Sequence, residues 1–217
     1  MRESWLVLLL GVGPLIGLNL LAVLTANGST EGGGEIRLGA FLFATLIGLA
    51  LEAFPLAVTL IYSTDRYRLP LTALGLRRPR LRILWAVPVA LAGCLAASAA
   101  WSTLVRPSGT EPEPFPRTAT GLVLAIVLTV IVAPLMEELV FRGFLFPAFI
   151  DAWGLWRAIA ASALVFSLAH VNLYGFVPLF VVGAALAWVC HTTRSLWGSI
   201  ALHAAWNLLA TLAFALS

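Results

Sequence analysis

Charge is scarce in this chain. Charged residues fill 11% of its 217 positions, against about 25% in soluble domains, so an ordinary water-soluble globular domain is excluded. Lysine is missing altogether from the thirteen basic residues, which are all arginine, and we attach no function to that choice. A net charge of +3, carried mainly by loops that flank apolar runs, gives no basic surface for nucleic acid. Cysteine is rare too. Cys94 and Cys190 stand singly in apolar stretches without CxxC or metal-ligand spacing, which excludes a disulfide framework and reads as two small core residues. The HExxH motif of zinc proteases, the GxSxG elbow of serine hydrolases and a paired intramembrane aspartate set are all absent.

What is abundant is hydrocarbon. Hydrophobic residues make up 61% of the chain and the mean hydropathy is +0.99. Apolar runs long enough, or nearly so, to cross a bilayer fall at about 4–25, 38–62, 83–105, 119–141, 156–173, 176–190 and 196–216. The expected fold is an all-α polytopic transmembrane bundle of about seven spans. Gly32-Gly33-Gly34, Leu69-Pro70, Arg78-Pro79 and the Pro-rich stretch RPSGTEPEPFPR punctuate the runs. The run Trp5–Leu24 is longer than a signal-peptide core and is expected to stay as a helix. Segment 143–157, apolar but interrupted by Pro147 and Gly154, is expected to be re-entrant or to lie along the interface, anchored by Trp153 and Trp156.

Loop 63–82 holds Arg66, Arg68, Arg77, Arg78, Arg80 and Arg82 against one acid, Asp65. Placing that loop in the cytoplasm puts ten arginines inside and three outside, with the N-terminus cytoplasmic.

Against this background Glu137, Glu138 and Arg142 stand out in VLTVIVAPLMEELVFRGFLF. A charged side chain near a helix centre costs about 2.5–3.5 kcal/mol on insertion scales, so a chain that keeps three has a use for them. Glu138 and Arg142 are four apart, with the acid on the N-terminal side, and read as an i,i+4 pair. That pair leaves Glu137, about 100° away round the helix, as the carboxylate free to handle a proton. Two more polar elements follow on later helices. His170 lies four after Phe166 in FSLAH, and His203 lies four before Asn207 in HAAWN.

Taken singly, each has a bland reading: an internal salt bridge, a hydrogen-bonded packing histidine, interhelical glue. Together they support amide hydrolysis, in which a carboxylate and an imidazole hold and deprotonate water while a second imidazole and a carboxamide stabilise the oxyanion. Glu137, His170 and His203 could alternatively ligate Zn²⁺ with one open position. Glu52, an intramembrane carboxylate with no sequence partner, is expected to pair with an arginine near an interface. Depth poses a difficulty. His170 lies fourteen residues past Trp156, roughly 21 Å of helix, whereas Glu137 is only five from Arg142. Either that helix starts outside the hydrocarbon, or it tilts strongly, or the site is deep.

EELVFR, FSLAH and HAAWN, in that order on successive hydrophobic helices, resemble the CPBP family (CAAX proteases and bacteriocin-processing enzymes, also called Abi), which contains the eukaryotic Ras-converting CAAX endoprotease. The resemblance covers roughly residues 119–216. It implies an intramembrane endopeptidase in which Glu137 activates water, His170 shares that water, His203 and Asn207 form the oxyanion hole, and Glu138 and Arg142 brace the site. It implies three accessory transmembrane helices in 1–118 and a catalytic helical core in 119–217, with the active site among the last four spans. Zinc or no metal are both compatible with it. Its partners are the lipid bilayer and a membrane-associated peptide or protein, either a prenylated CAAX-like tail or a leader peptide. Two rival readings are a catalytically silent peptide-binding or bacteriocin-immunity protein on the same bundle, and a proton-coupled carrier using Glu52, Glu137 and His170. The second is disfavoured by the lack of inverted repeats.

Overall fold

The computed structural model describes residues 38–61, 63, 68, 70–105 and 117–216. The first apolar run, 4–25, and the side chain of Glu52 lie outside the described residues. The described architecture is all helical: α1 Leu38–Leu60, α2 Ile83–Leu104, α3 Ala119–Trp153, α4 Leu155–Ala169, α5 Phe176–Thr193 and α6 Leu196–Leu216, with a 3₁₀ turn at Leu71–Leu74. Helices α2, α3, α5 and α6 are each long and apolar enough to cross a membrane, as an integral membrane protein requires. Helix α5 is central, packing against α4, α2 and α6.

Two expectations change. Segment 143–157 is not a separate piece interrupted at Pro147, because the helix begun at Ala119 continues to Trp153 over 35 residues. It does so by passing through π-helical stretches at Ile126–Val132 and Leu139–Leu145. Pro147 lies two residues past the second stretch, in a register where Phe146 N–H already bonds five residues back to Phe141 O. The proline ring faces outward, so the missing N–H is tolerated in a helix whose bonding is locally rearranged. The break comes at Gly154, whose φ of 77° is one that glycine adopts without strain. The run expected at 156–173 is also shorter, a 15-residue helix.

The long α3 removes the depth difficulty. Gly143 sits at the level of Leu74 and Leu196, since a Cβ added there would lie 2.9 Å from Leu74 O and 3.4 Å from Leu196 Cδ1. From Gly143 the chain runs ten residues outward to Trp153, roughly 15 Å, and turns at Gly154. Eleven residues of α4, roughly 16 Å, then return Phe166 to the level of Phe141, with ring centroids 5.3 Å apart. Helix α4 therefore starts beyond the level of the neighbouring helix ends, with Trp153 and Trp156 exposed at the hairpin tip.

Hydrogen bonds tie the bundle at both ends. At the arginine-rich end Leu196 N–H donates to Gly75 O at 2.9 Å, Arg80 N–H to Thr193 O at 3.0 Å, and Ser195 Oγ–H to Arg77 O. At the other end the α4–α5 turn is held against α2 by Trp101 and Tyr174. Cys94 and Cys190 are free thiols.

Candidate active site

Helix α3 carries the charges. Glu138 Oε1 accepts from Arg142 Nη1 at 2.9 Å, and both side chains are fully buried. The spacing of four in the sequence thus produces a direct ion pair. Arg142 Nη2 donates to Gly183 O of α5 at 3.0 Å, and its guanidinium lies 4.5 Å from the centre of the Phe166 ring, a cation–π distance. Removing two charges from water is costly, and a buried pair holds only with such additional partners. His203 of α6 completes the cluster, donating from Nδ1 to Glu138 Oε1 at 3.1 Å. One carboxylate oxygen therefore joins α3 to α6, while Arg142 joins α3 to α5.

Phe166 is the hub of the apolar part. Its ring contacts Phe141 (5.3 Å between centroids), His170 (4.6 Å) and His203 (5.6 Å). Both site histidines thus flank one ring. His170 caps α4, and its Nδ1 lies 2.8 Å from Phe166 O. A carbonyl can only accept, so Nδ1 carries a proton, and the position left for a lone pair on the ring is Nε2. The Phe166–His170 spacing of four is the reach needed for this bond.

Asn207 is placed differently from a free oxyanion donor. Its Nδ2 donates to Thr129 O at 2.7 Å. The reason lies in the first π stretch. Ala133 N–H bonds five residues back to Leu128 O, so the group opposite Thr129 O in that register is the nitrogen of Pro134, which has no hydrogen. Asn207 supplies the missing donor. One of its two amide N–H groups is therefore interhelical glue, and the second is available for other use.

Glu137 lies beside this cluster. Its Oε2 is buried with no protein hydrogen-bond partner, as are Glu138 Oε2 and Arg142 Nε. Three such atoms within two turns of one helix are costly in a dry interior and mark a place that needs water. Among the described residues no three His, Cys, Asp or Glu side chains stand close enough to share a cation. Glu137, His170 and His203 accordingly do not form the ligand triad that zinc would need, and no step below passes through a metal.

Sequence reasoning missed Thr129, Pro134 and Gly183. Gly183 had a signal, since it lies in the small-residue stretch VVGAALA that suits close helix packing. A Cβ there would lie 3.0 Å from Ala163 Cα and 3.2 Å from Phe166 Cδ1. Gly183→Ala should therefore separate α4 from α5, weaken the bond from Arg142 and lower stability by about 1–3 kcal/mol. Thermal unfolding in detergent reads this as a reduced Tm; an unchanged Tm would show that the close approach is not needed.

Residues 119–209 match the sequence profile described as "Type II CAAX prenyl endopeptidase Rce1-like". The "Putative membrane peptidase YdiL" of Bacillus subtilis (strain 168) is 27% identical over 84 residues, 39% of this chain and 34% of that protein. The match thus spans about a third of the curated relative's length. No solved structure matches the chain. Residues 119–209, which contain EELVFR, FSLAH and HAAWN, are thus similar to the Rce1-like type II CAAX prenyl endopeptidases.

Proposed function

We propose that this protein is an intramembrane endopeptidase that hydrolyses a peptide bond in a membrane-associated peptide or protein. The observation that carries the reading is the gathering of Glu138, Arg142, His170 and His203 around Phe166, beside a Glu137 oxygen with no protein partner.

Water accepted by Glu137 Oε2 and by the Nε2 lone pair of His170 attacks the substrate carbonyl carbon, and Glu137 takes its proton. The oxyanion so formed accepts from His203 Nε2–H and from the second N–H of Asn207. Donation from His203 Nε2 while Nδ1 faces Glu138 requires both nitrogens to be protonated, and Glu138 is the counter-charge. The C–N bond then breaks, Glu137 returns its proton to the leaving amine, and acid and amine products depart. Arg142 shares Glu138 with His203 and fixes both through Gly183 O.

The arginine-rich end, with Arg77, Arg78, Arg80, Arg82 and Arg194 exposed, is the cytoplasmic face, which puts the N-terminus inside. The substrate is a prenylated CAAX-like tail or a leader peptide held at the bilayer. A quenched-peptide library presented to the purified protein in detergent should reveal cleavage, and His170→Ala should abolish it at unchanged expression and Tm. Equal cleavage by His170→Ala and wild type would refute the assignment.

A further inference from the structure

Immediately after His170 the backbone is strained. Val171 has φ of 48°, a left-handed conformation that a β-branched residue adopts only at a cost. The turn that contains it is not held by its own interior alone. Ser167 Oγ–H donates to Phe176 O at 2.7 Å and Gly175 N–H to Asn172 Oδ1 at 2.7 Å, which close the turn on itself. Two further bonds tie it to α2. Trp101 Nε1–H donates to Tyr174 O at 3.0 Å, and Tyr174 O–H donates back to Val105 O at 2.7 Å. Val105 caps α2, so its carbonyl belongs to a helix end that lacks an intrahelical partner. Each segment thus satisfies the other, and the same residue, Tyr174, serves as acceptor and donor.

We infer that Trp101 and Tyr174 are positioning residues that latch the α4–α5 turn and so hold His170 in its working orientation. The inference rests on His170 acting on the attacking water. Helix α2 lies outside the segment that matches the family profile, 119–209, so a helix from the expected accessory region becomes part of the site's support. The physical logic is local. Val171 relaxes out of the left-handed region if the turn is released, the peptide between residues 170 and 171 rotates, and the Nδ1–H bond from His170 to Phe166 O loses its geometry. The Nε2 lone pair then no longer faces one fixed point. The latch opposes that relaxation from outside the turn. No side chain of the latch touches the substrate in this scheme.

Trp101→Phe and Tyr174→Phe each remove one donor and keep an aromatic ring. In each, kcat should fall about three- to tenfold, the change that one hydrogen bond of ordinary net strength produces, while KM stays within about twofold. The double variant should lose less than the product of the two, because both bonds hold one turn. Amide hydrogen exchange over residues 168–175, read by mass spectrometry, should quicken about tenfold with the rest of the protein unchanged. Val171→Asn, which tolerates the left-handed conformation, should restore kcat in the Tyr174→Phe background to within about twofold of wild type. A merely structural role would not give that rescue. Wild-type kcat in both single variants, unchanged exchange at 168–175, or a loss of activity that Val171→Asn fails to restore would each overturn the latch. Failure of the enzymatic reading is told apart by His170→Ala: if that variant cleaves normally the site is misassigned, whereas the exchange measurement tests the latch without reference to activity.

Discussion

Glu137→Gln should reduce cleavage by about 10²–10⁴-fold, the contribution of a positioned general base, with expression, Tm and binding of an uncleaved peptide unchanged. Gln keeps the size of the side chain and its ability to touch water but cannot take a proton. The fall should appear equally in kcat and kcat/KM, because proton removal is realised in the transition state and not in substrate binding. Glu138→Gln is the instructive contrast. Its carboxylate already binds Arg142 and His203, so the neighbouring substitution should cost stability as well as activity. A Glu137→Gln protein as active as wild type, beside a well-folded inactive Glu138→Gln protein, would exchange the roles given to the two acids.

The second large effect concerns folding. Arg142→Met leaves Glu138 fully buried without its guanidinium, and breaking a buried pair from one side costs about 3–5 kcal/mol. Most of that cost is a buried carboxylate left with the His203 bond alone. Replacing both partners, Glu138→Met with Arg142→Met, should recover most of the lost stability, since apolar replacement of a whole buried pair is often close to neutral. Activity should not return, because His203 then lacks its anchor. Tm values for the two single variants and the double variant decide the matter. A double variant as unstable as Arg142→Met alone would mean that the bonds to Gly183 O and the contact with Phe166, rather than charge pairing, hold this region together.

The helical bundle and its motifs were legible in the sequence for clear reasons. Apolar runs announce membrane helices, and the spacing of four in Glu138–Arg142 and Phe166–His170 translates into direct bonds of 2.9 and 2.8 Å. Pro147 and Gly154 are both helix breakers by residue type, so residue identity alone predicts an interruption at each. Only Gly154 breaks the helix, while Pro147 sits outward after a π-helical stretch that no hydropathy pattern reveals. The role of Phe166 as the shared neighbour of two histidines and an arginine depends on the length of α3, and so on the continuity of the helix through Pro147. Asn207 shows a different limit. Its partner, Thr129 O, is left without a donor by a backbone register shift and a proline, a consequence of local geometry that residue identities alone do not display. The link between Trp101 and Tyr174 spans 73 positions, a pairing that periodicity cannot foresee.

The most direct test of a water shared between Glu137 and His170 is a double-mutant cycle on kcat/KM with Glu137→Gln, His170→Ala and the pair. If both side chains act on one nucleophile, the double variant should be about as slow as the slower single variant, because the second loss removes nothing further. Losses that multiply, with each single change contributing its full factor in the presence of the other, would contradict a common water and separate the two residues into independent roles.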